Sequence, residues 1–385
     1  MGQSTGRTAA FALLLGNFVI GLSIVGPAGM VDPLAADFGI AVASAAFLIT
    51  GGAVVLCIGS PLVAWGTSTI DRRLLLSATM AVLAVCHVAS ALAPSYGALL
   101  AIRVVAMAFA AIFTPQAASA IAMLVPERER PGAISFVFLG WSLAAAAGLP
   151  LVAYVAAEHG WRMVHWGLAL CASVAAVAVF ASLPQKLRGI SISLANWGSL
   201  FRNPFVLILL AATILGGAGQ FIIFTFFGPL LARTVQASSS EIAICFAVFG
   251  VAGFLGNVAA SRVVGRIGAL NTSLIFFGAM LAGAVLWALS TGSVLLALIA
   301  SGVWGIGFAA SNSMQQARLA GAAPALAGAA IALNSSSIYI GQAVGSGLGG
   351  VLFEQAHYGA MAWVGAGLLA VTLALVYLSG RLERA

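Results

Sequence analysis

Arg103 lies in an otherwise apolar stretch, LLAIRVVAM (99–107). A guanidinium stays charged in proteins, so in an apolar environment it needs water or a polar partner. One interpretation places Arg103 near the end of a helix, where a long side chain reaches the interface. The other places it beside a central cavity, where its charge attracts an anionic group or changes the protonation of an acid such as Asp32.

The other reactive side chains form no recognisable catalytic set. The four cysteines and four histidines are scattered and make no C-x-x-C pair, so neither a metal site nor a bound cofactor is indicated. The apolar segments also lack paired acids, a His/Asp set, or a serine beside a base, which an enzyme would need. We therefore expect no enzymatic activity, and a membrane-embedded enzyme is a remote alternative.

The composition is that of a membrane protein. Of 385 residues, 62% are hydrophobic and 6% are charged, and the mean hydropathy is +1.12, whereas soluble domains carry about 25% charged residues. Runs without Asp, Glu, Lys or Arg include 104–126 and 267–317. A helix of about 20 apolar residues crosses a bilayer, and backbone groups in lipid must hydrogen-bond internally. The sequence therefore predicts an all-α membrane protein.

The charge-free runs and the turn residues between them predict twelve transmembrane helices. The run 267–317 holds two of them, separated by the turn-forming sequence STGS at 290–293. The predicted helices are 9–30, 42–65, 74–93, 98–125, 132–157, 162–183, 204–231, 240–262, 270–290, 293–318, 325–354 and 358–379.

The distribution of basic residues predicts the orientation. With the N-terminus in the cytoplasm, thirteen of the sixteen basic residues fall in cytoplasmic segments and two, Arg162 and Arg233, in outer segments. Basic residues are enriched on the cytoplasmic side of membrane proteins, so both termini are expected to be cytoplasmic. This asymmetry accounts for the net charge of +7, which therefore does not indicate nucleic-acid binding.

The chain divides into two similar halves. Residues 1–183 form a predicted six-helix bundle, 184–203 a cytoplasmic linker, and 204–385 a second six-helix bundle. The sequence PQA at 115–117 has a counterpart, QQA, at 315–317, and each is followed by a glycine-rich helix. Duplicated halves of this kind occur in transporters that bind substrate near the membrane midplane. The predicted fold is two pseudo-symmetric bundles.

Four stretches resemble a known family in order along the chain. They are PLAADFGIAVASAAFLITGGAVVLCIGSPL (33–62), WGTSTIDRRLLL (65–76), LLAIRVVAM (99–107) and GWSLAAAAGLPLVAYVAAEHGWR (140–162). Together they resemble the major facilitator superfamily, and more narrowly its twelve-span drug:proton antiporter branch, which includes arabinose-efflux-permease-like exporters. The resemblance implies that the first, fourth, seventh and tenth helices line the substrate pathway, and that Arg103 faces it.

The resemblance also implies a cytoplasmic gating loop after the second helix and its counterpart in the second half. Here the loops contain Asp71, Arg72, Arg73, Arg262 and Arg266. They depart from the family pattern. Ser68 stands where the family has an acid, Asp71 where it has a glycine, and Arg262 again where it has an acid.

The first predicted helix departs from the family pattern as well. Ile24 occupies the position where many members carry a membrane acid. The nearest acid is Asp32, at the outer end of that helix, and it is our candidate for proton coupling.

Polar residues recur at helical spacing on the expected pathway helices. Each amide has an alternative role in a helix–helix hydrogen bond, which contributes about 1 kcal/mol in membranes. As a set, they favour a polar and aromatic pathway. The candidate pathway residues are Arg103, Asn17, Gln220, Asn312, Gln315, Phe224 and Tyr339.

Small residues on the fifth and eleventh helices are candidates for close packing. Gly140, Gly148 and Pro150 in the first half resemble the antiporter-type motif, and Gly341 and Gly345 follow in the second. Glycine lets helix backbones approach closely. These faces suit either sliding between the halves or static packing.

The sequence as a whole predicts a secondary active transporter that works by alternating access. The resemblance implies proton-coupled efflux of a drug-like, sugar or metabolite compound, and an uptake carrier or uniporter without proton coupling is the alternative. We expect a monomer in a lipid bilayer, in the inner membrane of a bacterium.

Overall fold

The computed structural model describes residues 2–67, 69–126, 129–188, 197–323 and 326–382. Within these ranges the regular elements are helical. Ser68 and part of the predicted linker 184–203 lie outside the described residues. The boundaries of that linker therefore stay a prediction.

In the described residues, the first half contains eight α-helices. Its first helix ends early because Pro27 has no amide hydrogen to continue it, and a 3-10 turn, Gly26–Gly29, follows. A π-helical turn, Ala144–Gly148, interrupts the fifth predicted helix. The elements are α1 (Gly2–Val25), α2 (Val31–Phe38), α3 (Val42–Gly66), α4 (Arg72–Ala91), α5 (Tyr96–Leu124), α6 (Arg130–Leu143), α7 (Leu149–His159) and α8 (Trp161–Ser182).

The second half repeats this organisation. The eighth and ninth predicted helices form one long element that is divided at Gly268, whose φ of 81° is not helical. Gly292, with φ of 79°, separates it from the next helix. The elements are α9 (Trp197–Leu200), α10 (Pro204–Phe224), α11 (Phe227–Thr234), α12 (Ser239–Leu289), α13 (Val294–Ala322), α14 (Ala327–Glu354) and α15 (Tyr358–Leu382).

The helices account for the twelve predicted crossings. In the described part of the chain, 10 helical segments are long and apolar enough to cross a membrane. One of them, α12, has 51 residues, which suffices for a crossing on each side of Gly268. The 28 residues of α14 span about 42 Å at 1.5 Å per residue, which is long enough for a further crossing, and this helix includes the polar residues 334–337. The prediction of an all-α, twelve-helix membrane fold is confirmed.

Equivalent glycines show the pseudo-symmetry of the two bundles. A β-carbon at Gly140 on α6 would lie 2.3 Å from the carbonyl oxygen of Leu14 on α1. A β-carbon at Gly341 on α14 would lie 2.4 Å from the carbonyl oxygen of Ile214 on α10. In both halves, therefore, only glycine permits this approach to the first helix of the bundle.

The other small residues singled out from the sequence also pack within their own half. A β-carbon at Gly148 would lie 2.6 Å from Cδ2 of Leu22, and one at Gly345 would lie 2.3 Å from the carbonyl oxygen of Ala218. Pro150 lies in the first turn of α7, where its missing amide hydrogen is tolerated.

Among the described residues, the two halves meet mainly along two sets of helices. One set is α3 and α14, where Ser336 Oγ donates to the carbonyl oxygen of Cys57 at 3.2 Å. The other is α12 against the segment α6–α7, where a β-carbon at Gly250 would lie 2.1 Å from the carbonyl oxygen of Ala145. The backbones of the two halves are therefore in direct contact at Gly250.

Candidate functional site

Arg103 is buried, and each of its three guanidinium nitrogens donates to a backbone carbonyl group. Its side chain is 8% exposed. Nε donates to the carbonyl oxygen of Leu48 on α3 at 3.1 Å, and Nη2 donates to that of Ile24 on α1 at 2.9 Å. Nη1 donates to the carbonyl oxygen of Ser23. The guanidinium thus ties α5 to α1 and α3.

The sequence explains why α1 offers these carbonyl groups. In a helix, the carbonyl oxygen of Ser23 would accept a hydrogen bond from the amide of residue 27, but residue 27 is Pro27 and has no amide hydrogen. Arg103 supplies the missing donor. Gly52 on α3 leaves room for it, because a β-carbon there would lie 3.1 Å from Nε and 3.2 Å from Nη2 of Arg103.

Two of the four histidines meet next to this contact. Nδ1 of His87 on α4 lies 3.1 Å from Nδ1 of His165 on α8. Nε2 of His87 lies 2.8 Å from Oγ of Ser23, whose carbonyl group binds Arg103. His87 is 3% and His165 is 8% exposed.

In the sequence these histidines are scattered. The available signal was that each is an ionisable side chain within an apolar membrane helix, which usually marks a functional position. Sequence spacing did not show that α4 and α8 are neighbours.

A second polar cluster lies at the outer end of the first half. Asp37 forms a salt bridge with Arg162 and accepts a hydrogen bond from Trp161 Nε1 at 3.1 Å. The hydrogen bond from Arg162 lowers the pKa of the Asp37 carboxyl. The rings of Trp161 and His165 are perpendicular, with centroids 5.8 Å apart.

Asp32, the acid singled out from the sequence, pairs with Arg233 of the opposite half. Nη1 of Arg233 lies 3.2 Å from Oδ1 and 3.4 Å from Oδ2 of Asp32. The guanidinium also lies over the ring of Phe353, 5.0 Å from its centroid. Burial raises the pKa of Asp32, although the charge of Arg233 and its hydrogen bond oppose that change. The pair joins α2 to α11 at the outer ends of the two halves.

Asn17 lies at the centre of a hydrogen-bonded group in the first half. It is fully buried. Its amide nitrogen donates to the carbonyl oxygen of Val137 at 3.1 Å, and its amide oxygen accepts from Thr114 Oγ1 at 2.8 Å. Trp141 Nε1 donates to the same Thr114 hydroxyl at 3.3 Å. Asn17 therefore links α1, α5 and α6.

Amides of α13 and α14 form a corresponding group in the second half. Thr213 Oγ1 donates to Asn334 Oδ1 at 2.9 Å, and Asn334 Nδ2 donates to Asn312 Oδ1 at 3.0 Å. Gln315 Nε2 donates to the carbonyl oxygen of Leu209 at 3.2 Å. Its Oε1 is buried and has no hydrogen-bond partner among the residues that the structure describes.

Gln220 and Phe224 lie one turn apart on α10. Nε2 of Gln220 lies 3.3 Å from Sδ of Met280, which also contacts Ser311 Oγ at 3.2 Å. Phe224 is 2% exposed and packs among aromatic rings. The rings whose centroids lie within 6.4 Å of its own are Phe221, Phe246, Phe249, Trp304 and Phe308.

The remaining pathway candidate comes from α14. Tyr339 is partly buried and packs against the hydrophobic core of the first half. It therefore contributes to the interface between the two bundles.

The residues of the proposed gating loops are placed differently in the two halves. Asp71 caps α4 by accepting from the amides of Arg73 at 2.9 Å and Leu74 at 3.4 Å. Arg72 is buried and donates to the carbonyl oxygen of Thr67 at 2.9 Å, and Arg73 lies over the ring of Phe180. In the second half, Arg262 and Arg266 are both exposed.

The structure thus gathers the candidate residues into separate groups. One group surrounds Arg103, one surrounds Asn17, and one contains Asn312 and Gln315. In the described part of the chain, no three His, Cys, Asp or Glu side chains converge as metal ligands would. The groups offer hydrogen-bonding amides beside aromatic rings, which suits the non-covalent binding of a small molecule.

Comparison with known proteins gives the family. The model of the Major Facilitator Superfamily matches residues 13–324 and 209–384. The chain belongs to the Major Facilitator Superfamily. It is therefore a membrane transport protein.

Individual relatives and structures support the same assignment. The chain is 26% identical to a probable sugar efflux transporter of Helicobacter pylori, over 94% of the chain and 93% of that protein. It is 30% identical to a chloramphenicol resistance protein of Streptomyces lividans, over 62% of each. The crystal structure of a D-xylose–proton symporter has the same fold, with a TM-score of 0.79 at 16% identity, covering 96% of this chain and 97% of that one.

Proposed function

We propose that this superfamily member exports a small neutral or amphipathic compound in exchange for protons. The observation that carries the proposal is the buried Oε1 of Gln315, which has no partner among the described residues. An unsatisfied buried acceptor costs about 1–3 kcal/mol. A ligand that donates a hydroxyl or amide hydrogen to this oxygen therefore gains about that much binding free energy. The similarity to a sugar efflux transporter and a chloramphenicol resistance protein supports export of such compounds.

The pathway runs between the two halves. In this proposal Asn312 and Gln315 bind the polar groups of the compound, Gln220 and Phe224 contact its apolar part, and Tyr339 faces it from α14. Asn17 and Arg103 hold the facing helices of the first half. In this proposal α2 and α11 close the outer end of the pathway, where Asp32 lies beside Arg233.

We further propose that the protein acts as a monomer in the inner membrane of a bacterium, with both termini in the cytoplasm. The excess of basic residues in the predicted cytoplasmic segments supports this orientation. Asp71, Arg72 and Arg73 then close the cytoplasmic end together with Arg262 and Arg266.

Transport into proteoliposomes tests this function. Vesicles that contain the purified chain and an internal pH-sensitive dye would receive chloramphenicol or D-xylose under an imposed pH gradient. We expect compound movement coupled to opposite proton movement. Gln315→Ala should reduce the affinity for the compound, whereas Gln316→Ala on the same helix should leave it unchanged. Equal effects of the two substitutions would contradict the proposed site.

A carrier without proton coupling is the alternative. It is favoured by Ile24, an apolar side chain that is 2% exposed at the position where related antiporters carry an acid. Compound movement that is independent of the pH gradient, with no proton movement in return, would establish this alternative and overturn the antiport.

A further inference from the structure

The first half contains a buried pair of imidazoles that nothing in the proposed pathway uses. His87 Nδ1 and His165 Nδ1 are 3.1 Å apart, and His87 Nε2 is 2.8 Å from Ser23 Oγ. The two rings are inclined by 35°, with centroids 5.3 Å apart. The pair connects α4, α8 and α1 in the same region where Arg103 binds α1.

The hydrogen-bonding geometry suits one shared proton. In a neutral pair, one Nδ1 carries a hydrogen and the other accepts it. If a proton is added, His87 carries hydrogens on both nitrogens. Its Nδ1 then donates to His165 and its Nε2 donates to the Ser23 hydroxyl, so both donors are satisfied. A second proton would place hydrogens on both Nδ1 atoms and break the contact. The site therefore accepts a single proton.

Few other charged groups surround the pair. Arg103 on α5 acts electrostatically on both imidazoles. Ser23 faces the pair from α1, and the ring of Trp161, on the same helix as His165, lies perpendicular to that imidazole. The ionisable side chains of α7, which also packs on α8, are Glu158 and His159, and both are exposed. Arg103 is therefore a charged side chain close to the pair, since its guanidinium and His87 both bind Ser23.

We propose that His87 and His165 together bind the transported proton, in place of the membrane acid that Ile24 replaces. This proposal rests on the proton coupling proposed above. A proton on the pair repels the positively charged guanidinium of Arg103. Arg103 donates hydrogen bonds to the carbonyl oxygens of Ser23 and Ile24, at the end of α1 where the 3-10 turn begins. Protonation therefore weakens the hydrogen bonds from Arg103 on α5 to the outer end of α1. Proton binding thereby changes the conformation of α1, which is one of the predicted pathway helices.

The chain is well suited to a direct measurement, because it has only four histidines. The full-length protein, labelled with ¹⁵N-histidine and placed in lipid nanodiscs, would be titrated by NMR from about pH 4 to 9, a range centred on the usual pKa of histidine near 6.5. His159 and His357 are exposed and serve as references. We expect the Nδ1 signals of His87 and His165 to change together with the uptake of one proton. Signals that stay those of neutral rings throughout would overturn the proposal.

The transport assay then tests the coupling role. His87→Gln and His165→Gln should each abolish proton movement while compound exchange between equal concentrations continues. His159→Gln and His357→Gln, the matched controls, should behave as the wild type. Coupling that survives in both the His87 and His165 variants would overturn the role of the pair and leave the proposed antiport intact. Export by the wild type without proton movement would instead overturn the antiport, and the coupling role with it.

Discussion

Gly52 on α3 faces the guanidinium of Arg103 on α5, so that a β-carbon at Gly52 would lie 3.1 Å from Nε and 3.2 Å from Nη2. The same β-carbon would lie 3.2 Å from Cγ of Met107. The glycine therefore sets the space in which Arg103 reaches α1. Any larger residue must displace either the guanidinium or Met107.

Gly52→Ala should destabilise the protein. Alanine gains about 1 kcal/mol of helix propensity over glycine, but overpacking costs about 1–3 kcal/mol and disturbs the hydrogen bonds of Arg103. Thermal unfolding in detergent measures the net effect. Gly51→Ala is the matched control, because its β-carbon would come no closer than 3.4 Å to a neighbouring atom, Cε1 of Phe47. If both variants are equally stable, Gly52 does not position Arg103.

Acidification should favour closure of the outer end of the pathway. Burial raises the pKa of Asp32 in the closed structure, despite the opposing effect of Arg233. A carboxyl with a higher pKa in the closed than in the open, solvated form binds its proton more tightly when closed. Protonation of Asp32 therefore stabilises the closed form fully below the ordinary pKa of aspartate. This stabilisation is lost as the pH rises through the raised pKa.

Spin labels at two exposed positions, Ala36 and Gln236, would measure this closure as a function of pH. We expect the labels to approach as the pH falls. Asp32→Asn, which has no charge to desolvate, should stay closed and lose the pH dependence. Asp37→Asn is the control, because Asp37 pairs with Arg162 inside the first half. Labels that separate on acidification would show that the ion pair, and not the cost of burying the carboxylate, controls closure.

Gly250→Ala should push the two halves apart. Its β-carbon would lie 2.1 Å from the carbonyl oxygen of Ala145, and backbone cannot move aside as a flexible side chain can. We expect the substitution to destabilise this conformer by about 1–3 kcal/mol. The spin-label distance between Ala36 and Gln236 should therefore lengthen. Gly265→Ala on the same helix meets no atom within 4 Å and should leave the distance unchanged. An unaltered distance in the Gly250 variant would contradict a rigid contact there.

Asn334→Ala should destabilise the second half. Asn334 is fully buried, and its loss leaves Thr213 without its side-chain acceptor and Asn312 without a donor. Thr213 Oγ1 keeps its bond to the carbonyl oxygen of Leu209 at 3.0 Å, and Asn312 is only partly buried, so we expect each lost hydrogen bond to cost about 0.5–1.5 kcal/mol, which thermal unfolding would measure. Ser335→Ala is the control, because Ser335 Oγ donates only within its own helix, to Ile331. If Asn334→Ala is as stable as the control, water replaces the lost bonds and the group borders an aqueous space.

The number and type of helices could be predicted because the bilayer imposes a simple rule. In a bilayer, a charge-free stretch of sufficient length is expected to form a helix. Turn residues mark the boundaries, such as STGS at 290–293, where the structure gives Gly292 a φ of 79°. The prediction did not extend to the details of individual helices. The π-helical turn at Ala144–Gly148 lies among alanines that carry no distinguishing pattern.

The candidate residues were predicted less completely. The sequence pointed to Arg103, Asp32, Asn17 and Asn312, because a polar side chain in an apolar helix is costly and so conspicuous. It did not show their partners. In the sequence, Arg233 is only an outer basic residue, and no spacing relates His87 to His165.

The sequence alone determined that this chain is a bundle of twelve membrane helices in two related halves, because hydrophobic length and charge distribution are local properties that can be read along the chain. Only the tertiary structure decided which polar side chains meet. His87 and His165 are 78 residues apart, and Asp32 and Arg233 are 201 residues apart. Contacts over such separations depend on which helices are neighbours and how each is rotated, and both are set by packing across the whole bundle.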